Sequence, residues 1–405
     1  MNNRPTVRYL DRTTAPHITT LVMLAGVAAM SLNVFLPSLP SMARHFGVEY
    51  TLMQLSLSLY LGATAFLQLF VGPISDRFGR RPVMLVATAV FTVASIGALL
   101  APNFGVFLTC RMIQAAIATG FVLSRAAVRD MVPQDQAASM IGYVSMGMSL
   151  VPMISPIIGG LLDEVFGWQA SFVMLTLSGM ALFAVVWFDM GETATTRATS
   201  LTAQFRQYPA LLTSQRFWGY CLAAAFSSGA FFAYLGGAPY VGTTFFHMDA
   251  ATLGLCFGAP AVGYMAGNFL SGRYAVRFGI NRMIIVGAVT TTSGMAVLAL
   301  LTVLGLTGPL AFFGLMIFVG LGNGLLIPSA NAGMLSVRPE LAGSAAGLGG
   351  ALMIGAGAVL SALAGWLLGP TTGPLPLVLL MLFTSVICIF CIQWVRHRQK
   401  QLGGP

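Results

Sequence analysis

Arg111 and Gln114 stand inside an apolar stretch, residues 104–127, that holds no aspartate or glutamate. An arginine in a lipid-spanning helix is costly, stays protonated and marks a functional position by default. It lies roughly 10 Å below the start of the stretch at 1.5 Å per residue, so snorkelling to the interface is the alternative. Asn33, four residues ahead of Pro37, falls at a similar depth, which predicts that its amide and the guanidinium face each other. An amide can hydrogen-bond an arginine but takes up no proton, so a pocket built here keeps a positive charge. Tyr60, Tyr234, Tyr264, Asn268 and Asn323 are the other polar or aromatic candidates within apolar runs. They would touch a substrate or make hydrogen bonds between helices.

A second constellation is the string Gly72-Pro-Ile-Ser-Asp76-Arg77-Phe-Gly79-Arg80-Arg81. Its glycines allow a tight turn, Asp76 is placed to cap or face a helix N-terminus, and the arginines hold the turn at a membrane face. Part of it returns 200 residues later as Gly272, Arg277, Phe278 and Gly279, with Val276 in place of the acid. Arg129 and Asp130, at the end of the stretch that contains Arg111, are the charges that could join it. A third constellation is Gly147, Pro152, Ser155, Pro156, Gly159 and Gly160, which from 152 onward occupies one helical face. Small residues on such a face let another helix approach closely, and prolines bend the span. A comparable stripe runs Gly343, Gly347, Ala351, Gly355, Ala358, Ala362, and the two stripes are expected to pack against each other.

Composition says what must position these residues. The chain has 405 residues, 57% hydrophobic and only 8% charged, against about 25% charged in soluble domains. Such a chain belongs in lipid. The apolar runs predict twelve helices at 17–37, 51–72, 82–101, 104–127, 137–162, 168–188, 216–236, 250–273, 282–304, 309–330, 341–368 and 374–395. They group into an N-terminal bundle (17–188) and a C-terminal bundle (216–395), with tails at 1–16 and 396–405. A polar linker, 189–215, is expected to lie along the membrane surface through Leu201, Phe205, Leu211 and Leu212. If the N-terminus is cytoplasmic, 18 of the 20 basic residues fall on the inner side and only Arg44 falls outside. That asymmetry predicts both termini in the cytoplasm. The net charge of +9 is spread between spans rather than gathered in one patch, so nucleic acid is not an expected partner.

No enzyme motif is present. The histidines His17, His45, His247 and His397 lie at helix ends or tails, and there is no H-E-x-x-H, nucleophile elbow or P-loop. Cys388-x-x-Cys391 lies on an apolar helix without a histidine or acidic partner, so no metal site or cofactor is expected. The 23 methionines would suit a pocket that repacks around varied ligands, or are lipid-compatible filler.

The first string resembles the signature loop of the major facilitator superfamily, G-x-x-x-D-R-x-G-R-R. Arg111-x-x-Gln114 resembles that family's fourth-helix motif, and the proline–glycine face resembles its antiporter motif, with Ser155 where a glycine is usual. Leu36-Pro37-Ser-Leu39-Pro40, Arg129-Asp130-Met131, Glu192-Thr193 and Phe232 to Tyr240 resemble the bicyclomycin-resistance and chloramphenicol-exporter branch, over roughly residues 17–395. The resemblance implies a bacterial inner-membrane exporter of antibiotics or similar small amphiphiles. It would work as a monomer by alternating access, with the proton gradient as energy source. It also implies that Gly72, Asp76, Arg77, Gly79, Arg80, Arg81, Arg129 and Asp130 form a latch that breaks as the halves rock. Relatives usually carry an acid where this chain has Asn33, so proton coupling is expected to be weaker or sited elsewhere. Asp76, Asp130, Asp163 and Glu164 are the remaining places. An uptake facilitator and, less well, a membrane receptor are the competing readings.

Overall fold

The computed structural model describes residues 7–131, 140, 151–152, 154–194, 208–338, 342–369 and 372–401. Beyond residues 7–17 and short connections it is helical, and the helices follow the apolar runs. In the first half, α1 spans Ile18–Phe46, α2 Tyr50–Phe78 and α3 Arg80–Leu99. α4 is built from Phe104–Gln114, a 3₁₀ turn Ala115–Ala118 and Thr119–Met131. The described parts of α5 are 151–152 and 154–166, and α6 spans Gln169–Asp189. In the second half, α7 runs Gln215–Tyr240 and ends in a π turn, Val241–Phe245. α8 joins Ala250–Cys256 to Gly258–Phe278, α9 is Ile280–Val303 and α10 Pro309–Val337. α11 is Ala342–Leu367 and α12 Leu375–Gln401. Eleven helices are long and apolar enough to cross a membrane among the described residues. Gly147, Asp135, Leu201 and Phe205 lie outside those residues, as does the side chain of Arg129.

Several proline boundaries move. Pro37–Pro40 was expected to end the first span, yet α1 continues to Phe46 through a 3₁₀ turn at Leu36–Ser38, which places Arg44 in a helix rather than a loop. Gly72–Pro73 lies inside α2 and Pro239 inside α7, while Pro328 lies inside α10 as its expected span allows. In a bundle the carbonyls freed by proline are satisfied by neighbours and local 3₁₀ or π turns, so proline bends a span without ending it. At three helix starts a polar side chain takes a free N–H of the first turn: Asn103 that of Val106 in α4, Ser214 that of Phe217 in α7 and Asp249 that of Thr252 in α8.

Close packing is made by glycine against backbone. Gly263 and Gly267 on α8 meet Gly320 and Gly324 on α10, where any Cβ would overlap the facing main chain. This is the small-xxx-small contact that brings lipid-embedded helices together. Outward-facing side chains such as Val93, Leu310, Trp366 and Phe390 are exposed, forming an apolar outer surface suited to lipid.

Two ends can be told apart by charge. The turns after α2 and α8 carry arginines and define a basic end. The turns after α1, α5, α7 and α11 form the far end. Among the described residues, the tight glycines of the α5 and α11 stripes take other partners. A Cβ on Gly159 would overlap the Val34 carbonyl of α1, and one on Gly160 the Ala250 carbonyl of α8. On α11 the tight glycines are 349, 357 and 365, against Met334, Phe232 and Gln54. Gly347, from the expected stripe, meets nothing.

Candidate functional site

Arg111 is fully buried within the first bundle. Its helix breaks into the 3₁₀ turn at Ala115, directly after Gln114, so both side chains leave α4 from its last α-helical turn. Nη1 donates to Gln114 Oε1 at 2.5 Å, Nη2 donates to the Ser31 carbonyl at 3.3 Å, and Nε has no partner. Gln114 passes the chain on, its Nε2 donating to Ser95 Oγ at 2.7 Å. Three rings surround the guanidinium: Phe35 at 4.2 Å, Tyr60 at 4.5 Å and Phe172 at 5.9 Å. Their π faces and these two oxygens compensate the charge, and no carboxylate among the described residues pairs with this cation.

Asn33 does not join it. Ser31 and Phe35, one turn apart on α1, form the face toward Arg111, and Asn33 lies between them in sequence and so around the other side. Its Nδ2 donates to its own helix at the Ala29 carbonyl, 2.7 Å, and its buried Oδ1 has no partner. In the second half, Asn323 Oδ1 accepts from Ser227 Oγ at 2.5 Å. Tyr234 packs among Phe231, Phe257 and Phe313 with its buried hydroxyl unpartnered. Asn268 donates to the Tyr264 carbonyl on its own helix. The structure therefore brings Arg111, Gln114 and Tyr60 together in the first half, whereas Asn33, Tyr234, Asn268 and Asn323 each take other partners.

The basic-end constellation centres on Arg80. Gly72, Asp76, Arg77 and Phe78 are still helical, and the turn is a single residue, Gly79, at φ +99°. Arg80 opens α3, and its side chain returns to Asp76 at 2.6 Å, to Ser75, and across to Asp130 on α4 at 3.1 Å. Arg80, not Arg77, therefore bridges the helices. Arg77 lies over the neighbouring Phe78 ring at 5.4 Å. Asp76 does not cap α3 either. That role falls to Glu192, whose carboxylate accepts from Arg80 N at 2.7 Å and Arg81 N at 3.4 Å. Arg81 donates to the Trp187 carbonyl and lies over its ring. Glu192 was not expected here, though one signal pointed to it: α3 begins at a glycine, which offers no side chain to its free N–H groups.

At the far end the halves are joined. Gln54 Nε2 on α2 donates to the Ser361 carbonyl on α11 at 2.7 Å, and the Tyr50 hydroxyl donates to the Gly236 carbonyl on α7 at 2.7 Å. Gly160 against Ala250, and Gly254 against the Pro156 carbonyl, bring α5 and α8 to backbone contact. Pro152 lies further along the same α5 face and is half-buried. A hollow of about 430 Å³ opens beside this seal, lined by Arg44, Glu49, Tyr50 and Tyr240 among others.

A family model described as Major Facilitator Superfamily matches residues 21–362. The chain is 30% identical over 383 residues to a chloramphenicol resistance protein of Pseudomonas aeruginosa, covering 93% of this chain and 90% of that one. It is 29% identical over 385 residues to a bicyclomycin resistance protein homolog of Haemophilus influenzae, covering 94% of each. It is also 29% identical over 398 residues to multidrug resistance protein D of Escherichia coli, covering 95% of this chain and 97% of that one.

Proposed function

The chain belongs to the Major Facilitator Superfamily, in its bicyclomycin-resistance and chloramphenicol-exporter branch, and on that premise we propose that it exports drugs and similar small amphiphiles by alternating access. The observation that carries the reading is the far-end seal. Two six-helix halves meet there through backbone-close glycine contacts and two side-chain hydrogen bonds, as one end state of a rocking transporter requires. The likeness to proteins named for chloramphenicol, bicyclomycin and multidrug resistance supplies the substrate class. Residues 17–188 and 216–395 are the rocking bundles, and 189–215 is the linker between them. Both termini lie in the cytoplasm of a bacterium, the chain sits in the inner membrane as a working monomer, and protons move inward as cargo leaves.

Arg111 bears on cargo charge. With rings and neutral oxygens around it among the described residues, it repels lipophilic cations and favours neutral or anionic compounds such as phenicols. The test is a susceptibility and accumulation panel in an efflux-deficient host. Export lowers accumulation of phenicol-like compounds when the chain is expressed. Higher accumulation indicates uptake, and no change for any compound overturns the transport reading. Gly159→Leu should abolish the effect, since a leucine there displaces the Val34 carbonyl. Normal transport and unchanged stability in detergent would show that this contact is not part of the seal's support.

A further inference from the structure

Gln54 projects from α2 of the first half into the second half and is fully buried there. Its Nε2 donates to the Ser361 carbonyl at 2.7 Å and to the Ser361 hydroxyl at 2.8 Å, and its Oε1 accepts from Ser58 Oγ at 3.4 Å. Two glycines make room for it. A Cβ on Gly236 of α7 would stand 2.7 Å from the Gln54 nitrogen, and one on Gly365 of α11 would stand 2.8 Å from its oxygen. The α11 side of this socket is a glycine with an accepting carbonyl one turn earlier. That carbonyl is already in a helix, and its second lone pair takes the amide.

The same seam carries a second amide. α2 and α11 run antiparallel, and their contacts pair Gln54 with Gly365, Ala65 with Gly355 and Gln68 with Gly350. Gln68 is fourteen residues past Gln54, about four turns and roughly 21 Å nearer the basic end, so it returns to the same face. A Cβ on Gly350 would stand 3.3 Å from Gln68 Oε1. Yet Gln68 is half-buried and makes no hydrogen bond among the described residues. Its α11 neighbours repeat the outline of the socket: Ala346 precedes Gly350 by four residues, as Ser361 precedes Gly365. Ala346 is exposed, and a Cβ on Gly347 would meet nothing, so the place is open. Ala65, against Gly355, lies three residues from Gln68 and eleven from Gln54. Rocking about that contact turns a wide parting at Gln54 into a small approach at Gln68.

We propose that Gln54 and Gln68 are alternating latches of the α2–α11 seam. Gln54, in its Gly236–Gly365 socket, holds the far end shut. Gln68 holds the basic end shut once Gln54 has left, its amide lying over Gly350 and donating to the Ala346 carbonyl. This rests on the alternating-access reading and deepens it by naming the residues that position the halves in each end state. One set of hydrogen bonds is given up as the other forms, which keeps the two states close in free energy.

The experiment places spin labels at Val165 on α5 and Leu255 on α8, exposed sites on opposite halves, in a cysteine-free background and without cargo. The distance distribution gives the ratio of sealed to open far ends. Gln54→Leu keeps the bulk and removes the bonds, so the ratio should fall about fivefold, the worth of one net hydrogen bond. Gln68→Leu should raise it by a similar factor. In the Gln54→Leu background, where a rise is not hidden by a fully sealed population, Gln68→Leu should return the ratio toward the native value. Substitutions that merely loosen the seam would move it in one direction only. Shifts of the same sign, a Gln68→Leu without effect in the Gln54→Leu background, or a Gln54→Leu chain as sealed as the native one would each overturn the inference. Because no cargo is present, opposite shifts in a chain that exports nothing would overturn only the export reading.

Discussion

The turns after α2 and α8 share a backbone and little else. Each ends its helix at a glycine of positive φ, +99° at Gly79 and +82° at Gly279, and each glycine N–H closes the helix on the carbonyl four residues back at 2.9 Å. Around Gly79, Glu192 sits so close that a Cβ would overlap its carboxylate, while Arg80 ties Asp76 and Asp130 together. Around Gly279 a Cβ would meet nothing, and Ile280 stands where Arg80 would be. The glycine is thus a requirement of the tight helix-to-helix turn in both halves. The acid–arginine links around Arg80 are a separate layer, and they connect α2, α3, α4 and the end of α6.

If that layer governs rocking, Arg80→Met should have the largest effect. It removes the cation that bridges Asp76 and Asp130. Breaking a buried pair costs about 3–5 kcal/mol, less here because both acids are partly exposed. Drug transport by reconstituted protein should fall more than tenfold with the variant still in the membrane. Near-native flux would show that the charges only decorate the turn.

Asp76→Asn should come next. Arg80 keeps Asp130, so stability changes little, but one arm of the bridge loses its charge and transport should drop strongly. Full activity of the purified variant would separate Asp76 from the conformational equilibrium.

Glycine replacement isolates the backbone layer. Gly79→Ala and Gly279→Ala each put a side chain into a backbone region that glycine alone adopts freely, at about 1–3 kcal/mol. Only Gly79→Ala also displaces the Glu192 cap, worth roughly 1 kcal/mol more. Thermal unfolding in detergent should therefore rank Gly79→Ala below Gly279→Ala. Equal losses would mean that the cap contributes nothing.

Much of this was readable beforehand because lipid enforces simple rules. Apolar runs located the spans, and the glycines at 79 and 279 marked the turns. What the sequence hid was partnership. Arg77 and Arg80 look alike in a string, but only the residue that opens α3 can turn back toward Asp76 and across to Asp130. Asn33 and Arg111 were matched by depth, and depth says nothing of azimuth. Ser31 and Phe35 occupy the face that Asn33 was expected to hold. Prolines misled for a related reason, since a membrane bundle supplies the hydrogen bonds that proline removes. The small-residue stripes showed which helices pack closely without showing against what.

The smallest effect should come from copying the charges into the second turn. Val276→Asp with Ile280→Arg recreates the acid–arginine spacing of 76 and 80 on a turn of nearly the same backbone. The new pair is four residues apart, and the copy supplies neither an acid like Asp130 nor a carboxylate like Glu192. An acid–base pair of that spacing contributes about 0.3–0.5 kcal/mol, which is below what a rocking equilibrium would register. Transport and its dependence on pH should match the native chain within a factor of about two, equivalent to roughly 0.4 kcal/mol. A large loss would mean that the second turn also moves against charged partners, and that the two halves are less different than their side chains suggest. No change, set beside the loss from Arg80→Met, would place the conformational role in the links to α4 and Glu192 rather than in the turn itself.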